Sequence, residues 1–114
     1  MNVANIDRAK AWFEVLQTSE RSQTAMMTLA PGKSSGEKAE AHDDSDQVLL
    51  ILERELTGEI GDELQNLKCG DVIMIPSGVK HRFTNRAQTR AVTFNVYSPP
   101  AYPADRNRVI CGRE

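Results

Sequence analysis

The sequence predicts an all-β domain, a sandwich or a barrel, and three observations support this prediction. Short stretches rich in Val, Ile, Leu and Phe recur along the chain. Gly, Pro and Asp residues separate these stretches at brief intervals, as the turns between strands do. No stretch shows the length and period of a long helix. Because each strand of such a chain must bury one face, a sandwich or a barrel is the expected packing.

One domain is expected over residues 1–114, since this length supports one hydrophobic core and no second. Residues 1–10 are compatible with a helical turn. The segments "AWFEVLQTS" and "QTAMMTLAPG" then predict two strands, the second ended by Pro31-Gly32. After the polar loop "KSSGEKAEAHDDSD", the aliphatic segment "QVLLILERELTGEI" predicts strand structure up to the turn pair Gly61-Asp62.

The second half of the chain predicts further strands. "ELQNLKCGD" gives a short strand and a turn at Gly70-Asp71, and "VIMIP" predicts a buried strand stopped by Pro76, because proline cannot donate to a sheet ladder. "VKHRFTN" and "TRAVTFNVY" both alternate in hydrophobicity, as half-buried strands do. From Ser98 onward the proline-rich, charged sequence predicts a tail over the surface, and residues 104–114 are expected to lie outside the core.

The composition argues against several classes of partner. Charged residues make up 26% of the chain and hydrophobic residues 39%, which is ordinary for a globular protein. A net charge of -2 and a pI near 5.7 provide no attraction to nucleic acid or to an acidic membrane surface. The longest hydrophobic run, Val48–Leu52, is far too short to span a membrane, and the N-terminus lacks the apolar segment of a signal peptide. Two cysteines are too few for a disulfide scaffold, so the cytoplasm is the expected location.

The two histidines of the chain, His42 and His81, are the main candidates for a functional site. Each follows a segment that contains glycine, and His81 is in phase with Val79 and Phe83 on its predicted strand. If those apolar residues face the interior, the His81 imidazole does too. A buried imidazole needs a partner, because an unpaired polar group in a core costs about 1–3 kcal/mol.

Two further candidate ligands lie near His42 in the sequence. Glu40 is two residues away, so on an extended segment both side chains leave by the same face. Gln47 opens the next predicted strand. One carboxylate, two imidazoles and one amide oxygen suit a divalent first-row metal, and the absence of a thiolate argues against copper(I). The alternative is a pair of core histidines that hydrogen-bond to Gln47 or Glu40 in a metal-free barrel.

The stretch "GDVIMIPSGVKHRFTN" resembles the second sequence motif of the cupin family. The segments "SDQVLLILERE" and "VTFNVYSPPAYP" also resemble small single-domain bacterial members, so the resemblance spans about residues 25–103. Five positions match the second motif at the family spacing: Gly70, Pro76, Gly78, His81 and Asn85. The first motif matches more loosely, with Arg54 at its closing glycine position, where we expect no effect on a metal provided that the local φ is negative.

This resemblance implies a double-stranded β-helix, or jelly-roll barrel, of six to eight antiparallel strands with a metal in its mouth. It maps the four family ligands onto Glu40, His42, Gln47 and His81. Glu40 in place of His adds a negative charge and Gln47 in place of Glu removes one, so the set keeps a single carboxylate at another vertex. If the loop is read one step differently, Asp44 replaces Glu40 as the carboxylate ligand.

Three hypotheses about function follow from the resemblance. A metal-dependent enzyme, for example a dioxygenase, an isomerase or a lyase, would use open coordination positions on Fe, Mn, Ni, Co or Zn, with Glu40 as a candidate catalytic base. A binding protein would hold a sugar or another small ligand on the metal without turning it over. A barrel without metal would use the histidines for packing. The fold alone does not rank these functions.

The residues around the site would decide which small molecule it takes. Phe83, Leu49, Ile51 and Met74 are expected to line the cavity, with plain core packing as the alternative. The last strand has two possible inward faces: an apolar one would suit an aromatic or aliphatic ligand, and a polar one a sugar or a polyol acid. The apolar face carries Val92, Phe94 and Val96, and the polar face carries Thr93, Asn95 and Tyr97.

A homodimer is expected from the size of the barrel and from its resemblance to the family. A barrel of about 100 residues has few buried layers. An N-terminal strand that exposes Trp12 and Phe13 would be covered by a partner subunit. The alternative is that Trp12 belongs to the core of its own chain.

Overall fold

The computed structural model describes residues 1–103, and these residues form eight strands and one short 3₁₀ helix at Ile6–Arg8. The expected all-β architecture is confirmed. No helix in this part of the chain is long and apolar enough to cross a membrane. The strands are β1 (Phe13–Thr18), β2 (Gln23–Leu29), β3 (Asp46–Glu53), β4 (Glu55–Ile60), β5 (Glu63–Lys68), β6 (Val72–Ile75), β7 (His81–Thr84) and β8 (Ala91–Ser98).

The strands form two antiparallel sheets around one core. A five-stranded sheet has the order β1-β2-β8-β3-β6, and a three-stranded sheet has the order β5-β4-β7. Both sheets contribute to the same cluster of buried apolar side chains, since each strand must cover one face. Its largest fully buried members include Leu29, Leu49, Ile51, Leu56 and Phe83.

The burial of alternate residues in β8 shows which face of this strand points into the molecule. Thr93, Asn95 and Tyr97 are each no more than 2% exposed, whereas Phe94 and Val96 are only half-buried. The polar phase of the strand therefore points into the molecule. The pairing of β3 with β8 places Asn95 opposite Leu49. The neighbouring inward position of β3 carries the polar side chain of Gln47.

The strand β6 is not buried, and the prediction from "VIMIP" was wrong in this respect. It lies at the edge of the five-stranded sheet, where Val72 is 65% exposed and Met74 is 61% exposed. Only one face of an edge strand is covered here, so alternate apolar residues face solvent. Met74 therefore does not line the cavity beside the histidines, and Leu49 and Ile51 pack in the core instead of lining it.

The aliphatic segment after the polar loop forms two strands in different sheets, β3 and β4, which are separated by Arg54. The φ angle of Arg54 is 67°, so the condition of a negative φ, under which no effect of this residue on a metal was expected, is not met. The chain leaves one sheet and enters the other at this residue. This change of sheet places Arg54 in a left-handed backbone conformation, which favours glycine and costs a non-glycine residue about 1–2 kcal/mol. The side chain of Arg54 is exposed.

Asn85, the last residue of the motif in the second half, closes the turn after β7. Its side chain is fully buried, and Nδ2 donates to the carbonyl oxygens of Leu29 and Thr89, each at 2.8 Å. Its Oδ1 accepts from the backbone N–H of Ala87 at 2.9 Å. Asn85 therefore satisfies three backbone groups and has a structural role rather than a role in the cavity.

Residues 98–103 do not form the surface tail that their composition predicted. Gln23 is buried and its Oε1 accepts from the backbone N–H groups of Ala101 and Tyr102, both at 3.0 Å, while its Nε2 donates to the carbonyl of Tyr102 at 2.9 Å. Both residues pack against the core. One buried glutamine therefore provides hydrogen-bond partners for backbone groups of Ala101 and Tyr102, which lie outside the strands. The tail expected at 104–114 lies outside the described residues.

Candidate functional site

Backbone hydrogen bonds join two segments that are about 40 residues apart in the sequence and carry the two histidines. Glu40 and His81 form an isolated antiparallel bridge, in which Glu40 N donates to His81 O at 3.1 Å and His81 N donates to Glu40 O at 2.9 Å. Gly78 N donates to His42 O at 2.8 Å. The φ angle of Gly78 is 82°, which glycine adopts without strain, so the turn before β7 can approach His42 closely.

The two imidazole rings converge, as the sequence predicted. The centroids of the His42 and His81 rings are 5.3 Å apart, with 44° between their planes. The edge-on rings of Tyr97 and Tyr102 also contact His42, at centroid distances of 5.2 and 5.5 Å. Both histidines are half-buried, so each ring keeps access to the cavity.

The environment of His42 favours its neutral form. Burial lowers the pKa of His42 below its ordinary value, and the positive charge of a protonated His81 lowers it further, while Asp43 acts in the opposite direction. The neutral imidazole is the form that accepts a hydrogen bond or binds a metal ion. His42 therefore offers a ring lone pair at neutral pH.

The hydrogen bonds of His81 decide which of its nitrogens carries the proton. Its Nδ1 lies 3.0 Å from the carbonyl oxygen of Val79. Because a carbonyl only accepts, Nδ1 must donate, and the lone pair of the neutral ring then resides on Nε2. Histidines that bind metals commonly have this arrangement, in which the second ring N–H is held by a carbonyl or a carboxylate.

Gln47 contributes a third candidate metal-ligand atom, the amide oxygen Oε1, to the same cavity. Its side chain is 4% exposed, and Nε2 donates to Oδ1 of Asn95 at 2.9 Å. The other end of the amide, Oε1, is buried and accepts no hydrogen bond from any of residues 1–103. A buried oxygen of this kind requires a donor or a cation. Two imidazoles and one such oxygen fit a divalent first-row metal.

The two candidate carboxylates, Glu40 and Asp44, differ in their position relative to the cavity. Glu40 lines the cavity from an exposed position, opposite His81 in the backbone bridge. Asp44 is exposed and does not belong to the lining. Within the described part of the chain, no three His, Cys, Asp or Glu side chains approach closely enough to hold a metal ion. The third candidate ligand group beside the histidines is therefore the neutral amide of Gln47. Glu40 lies at the exposed rim of the cavity.

The cavity has a volume of about 380 Å³ and mixed walls. The sequence predicted Phe83 in the lining and placed Tyr97 on one possible inward face of the last strand, but it did not identify the other residues of the aromatic and apolar walls. Phe13 and Met27 could have been found from strand alternation, because each lies on the inward phase of its strand. Tyr102 gave no such signal, since it follows a proline pair in irregular sequence. The aromatic and apolar lining includes Trp12, Phe13, Met27, Phe83, Tyr97 and Tyr102.

Known proteins are similar to this chain in sequence and in fold. The family model described as "Cupin domain" matches residues 25–97. A crystal structure from Bacillus halodurans has 25% sequence identity and a TM-score of 0.80, over 89% of this chain and 83% of its own. A crystal structure from Thermus thermophilus has 26% identity and a TM-score of 0.77, over 87% of this chain and 98% of its own.

A third comparison concerns the fold alone. An uncharacterised protein with a double-stranded β-helix domain from Klebsiella pneumoniae has 16% identity and a TM-score of 0.77, over 90% of this chain and 94% of its own. The expected double-stranded β-helix is therefore confirmed. Among the curated proteins no match to the chain is found.

Proposed function

The chain belongs to the cupin domain family, and from this premise we propose that it binds one divalent metal ion and presents it to a small hydroxylated ligand. The observation that carries this proposal is the buried Oε1 of Gln47, which lines the same cavity as His42 and His81 and has no donor among residues 1–103. One metal ion could be coordinated by this oxygen and by both imidazoles at the same time.

The proposed ligands are the ring nitrogens of His42 and His81 and the amide oxygen of Gln47, with the carboxylate of Glu40 at the rim as the fourth. Imidazole and oxygen donors suit Fe, Mn, Ni, Co or Zn. When bound, such an ion would act as a Lewis acid and polarise an oxygen atom of the bound small molecule. The carboxylate of Glu40 is exposed and lines the cavity, so it could accept a proton from a bound hydroxyl group.

The walls support a sugar or a polyol acid as the ligand class. A cavity of about 380 Å³ suits a small molecule. The inward face of β8 contributes Tyr97 to the lining, and polar groups of Ser35, Lys38 and Glu40 lie around the cavity together with the ring of Trp12. Aromatic rings bury the apolar faces of a ligand, while the polar groups bind its hydroxyls.

Metal content and ligand binding test this proposal in one experiment. Protein purified without an affinity resin is expected to contain about one equivalent of a divalent metal by elemental analysis. Trp12 is the only tryptophan, so its fluorescence reports binding at the cavity. We expect sugar acids to change this fluorescence in the metal-loaded protein and much less in the protein treated with a chelator.

Two results would contradict the proposal. Protein that neither retains nor takes up a divalent metal would exclude the metal centre. A response to flavonoids but not to sugar acids would exclude the proposed ligand class. Binding of sugar acids with product formation would identify an enzyme, whereas binding without turnover would identify a binding protein.

We also propose that the chain forms a homodimer. Trp12 is 53% exposed beside β1, which is an edge strand of the five-stranded sheet. Edge strands carry unpaired backbone groups, and an exposed indole ring favours contact with another surface. Phe13, which was expected to be exposed as well, is buried in the core. Sedimentation equilibrium is expected to give twice the monomer mass; a monomer at all micromolar concentrations would overturn the dimer.

A further inference from the structure

A chain of hydrogen bonds holds the amide of Gln47 across three neighbouring strands. Gln47 Nε2 on β3 donates to Asn95 Oδ1 on β8 at 2.9 Å, and Asn95 Nδ2 donates to Thr93 Oγ1 at 3.0 Å. Thr93 Oγ1 donates to the carbonyl oxygen of Met27 on β2 at 3.2 Å. Asn95 and Thr93 are 1% and 0% exposed. We call these three hydrogen bonds the Gln47 relay.

The direction of the Gln47 relay follows from its last acceptor. The carbonyl of Met27 can only accept, so the hydroxyl of Thr93 must donate to it. The oxygen of Thr93 is then free to accept from the amino group of Asn95. Asn95 consequently turns its carbonyl oxygen towards Gln47, which must donate through Nε2. This assignment rests on the donor and acceptor chemistry of the groups and leaves Oε1 of Gln47 for the cavity.

We propose that Thr93 and Asn95 are positioning residues that fix the oxygen of Gln47 towards the cavity as a neutral ligand for a divalent cation. This inference rests on the proposed metal site. A free amide can present either its oxygen or its amino group, and the amino group would repel a cation. The Gln47 relay also explains why glutamine fits this position: a carboxylate would face the carbonyl oxygen of Asn95, and two acceptors repel each other.

The polarity of the Gln47 relay is tested by making one substitution in two backgrounds. Thr93→Val removes the hydroxyl group at nearly constant volume and leaves Asn95 free to rotate. In the wild-type background we expect weaker Co²⁺ binding by about twofold or more, because the amide of Gln47 then faces both ways. In a Gln47→Glu background we expect Co²⁺ binding about tenfold tighter than with Gln47→Glu alone, since Asn95 can now donate to the carboxylate.

A measurement on the metal-free protein provides a second readout. Thr93→Val is expected to lower the melting temperature by about 4–8 °C in the wild-type background, and by much less in the Gln47→Glu background. A hydroxyl group with a merely structural role would have the same effect in both. Thr93→Ser keeps the hydroxyl group and is expected to retain wild-type Co²⁺ affinity and the d–d absorption spectrum of the bound ion.

Asn95→Asp gives an independent check if Thr93→Val does not fold. Aspartate still accepts from Gln47 Nε2, and its second oxygen can accept from the Thr93 hydroxyl once that hydroxyl turns away from Met27, so the oxygen of Gln47 should remain in place and Co²⁺ affinity should not fall; a loss of affinity as large as that expected for His81→Ala would overturn the Gln47 relay. Effects of Thr93→Val with the same sign in both backgrounds would overturn the Gln47 relay while leaving the metal site intact. A wild type that binds no Co²⁺ would overturn the proposed metal site and the metal role of Thr93 and Asn95, whatever the melting temperatures show.

Discussion

Replacement of His81 by alanine is expected to lower the affinity for Co²⁺ by about 100-fold or more, which corresponds to about 2.7 kcal/mol. The substitution removes one of the two imidazoles, whose Nε2 lone pair is presented to the cavity because Nδ1 donates to Val79. Neither Gln47 nor the rim carboxylate can replace it, since both are already counted in the proposed set. Isothermal titration of metal-free protein with Co²⁺ measures the effect.

Two matched substitutions show whether the loss is specific to the cavity. Glu40→Gln and Asp44→Asn each remove one exposed carboxylate from the same loop. Glu40 lines the cavity and Asp44 does not, so only Glu40→Gln is expected to weaken Co²⁺ binding, by about tenfold. Equal effects of the two substitutions, or full Co²⁺ binding by His81→Ala, would show that the ion binds elsewhere.

Replacement of Phe83 by alanine is expected to lower the free energy of unfolding by about 3–5 kcal/mol. Phe83 is 1% exposed, and its ring lies beside Gly58 on β4, where an added Cβ would be 3.4 Å from the ring. Leu67 Cδ1 packs over the same glycine, 2.8 Å from the position of such a Cβ, and Gly58 has no side chain that could move into the space of the ring, so we expect the cavity left by alanine to be filled only in part. Urea denaturation followed by circular dichroism measures the change.

Leu64→Ala is the matched control for Phe83→Ala. Leu64 lies on β5 in the same sheet, but it is 69% exposed. Its substitution should change the free energy of unfolding by about 0.5 kcal/mol or less. Phe83 also contacts His81, with ring centroids 5.9 Å apart, so Phe83→Ala should weaken metal binding as well. A cost for Phe83→Ala as small as that for Leu64→Ala would contradict the packing described for the core.

The spacing of turn residues and histidines predicted that the two imidazoles lie close together, and they do. Pro76 and Gly78 define the turn before β7, and strand alternation then turns His81 towards the interior. Such local relations depend on a few dihedral angles and on the period of a strand, so they can be inferred without coordinates. The convergence of His42 on His81 was inferred from the motif spacing and is found at 5.3 Å.

Other features could not be inferred because they depend on which strand lies beside which. The segment of β6 is as apolar as a buried strand, but its edge position exposes Val72 and Met74. The position of Tyr102 depends on Gln23, a residue 79 positions earlier that accepts from its backbone N–H. Neither relation leaves a periodic signal in the sequence.

The sequence by itself determined the all-β fold, the turn positions and the convergence of the two histidines. Only the tertiary structure decided which face of β8 points inward, and it chose the polar one. That choice runs against simple hydrophobic burial, and the physical reason is pairing: Thr93 and Asn95 satisfy each other and Gln47 once β2, β8 and β3 are adjacent. A buried polar group can be assigned only when its partners are known, and those partners lie on other strands.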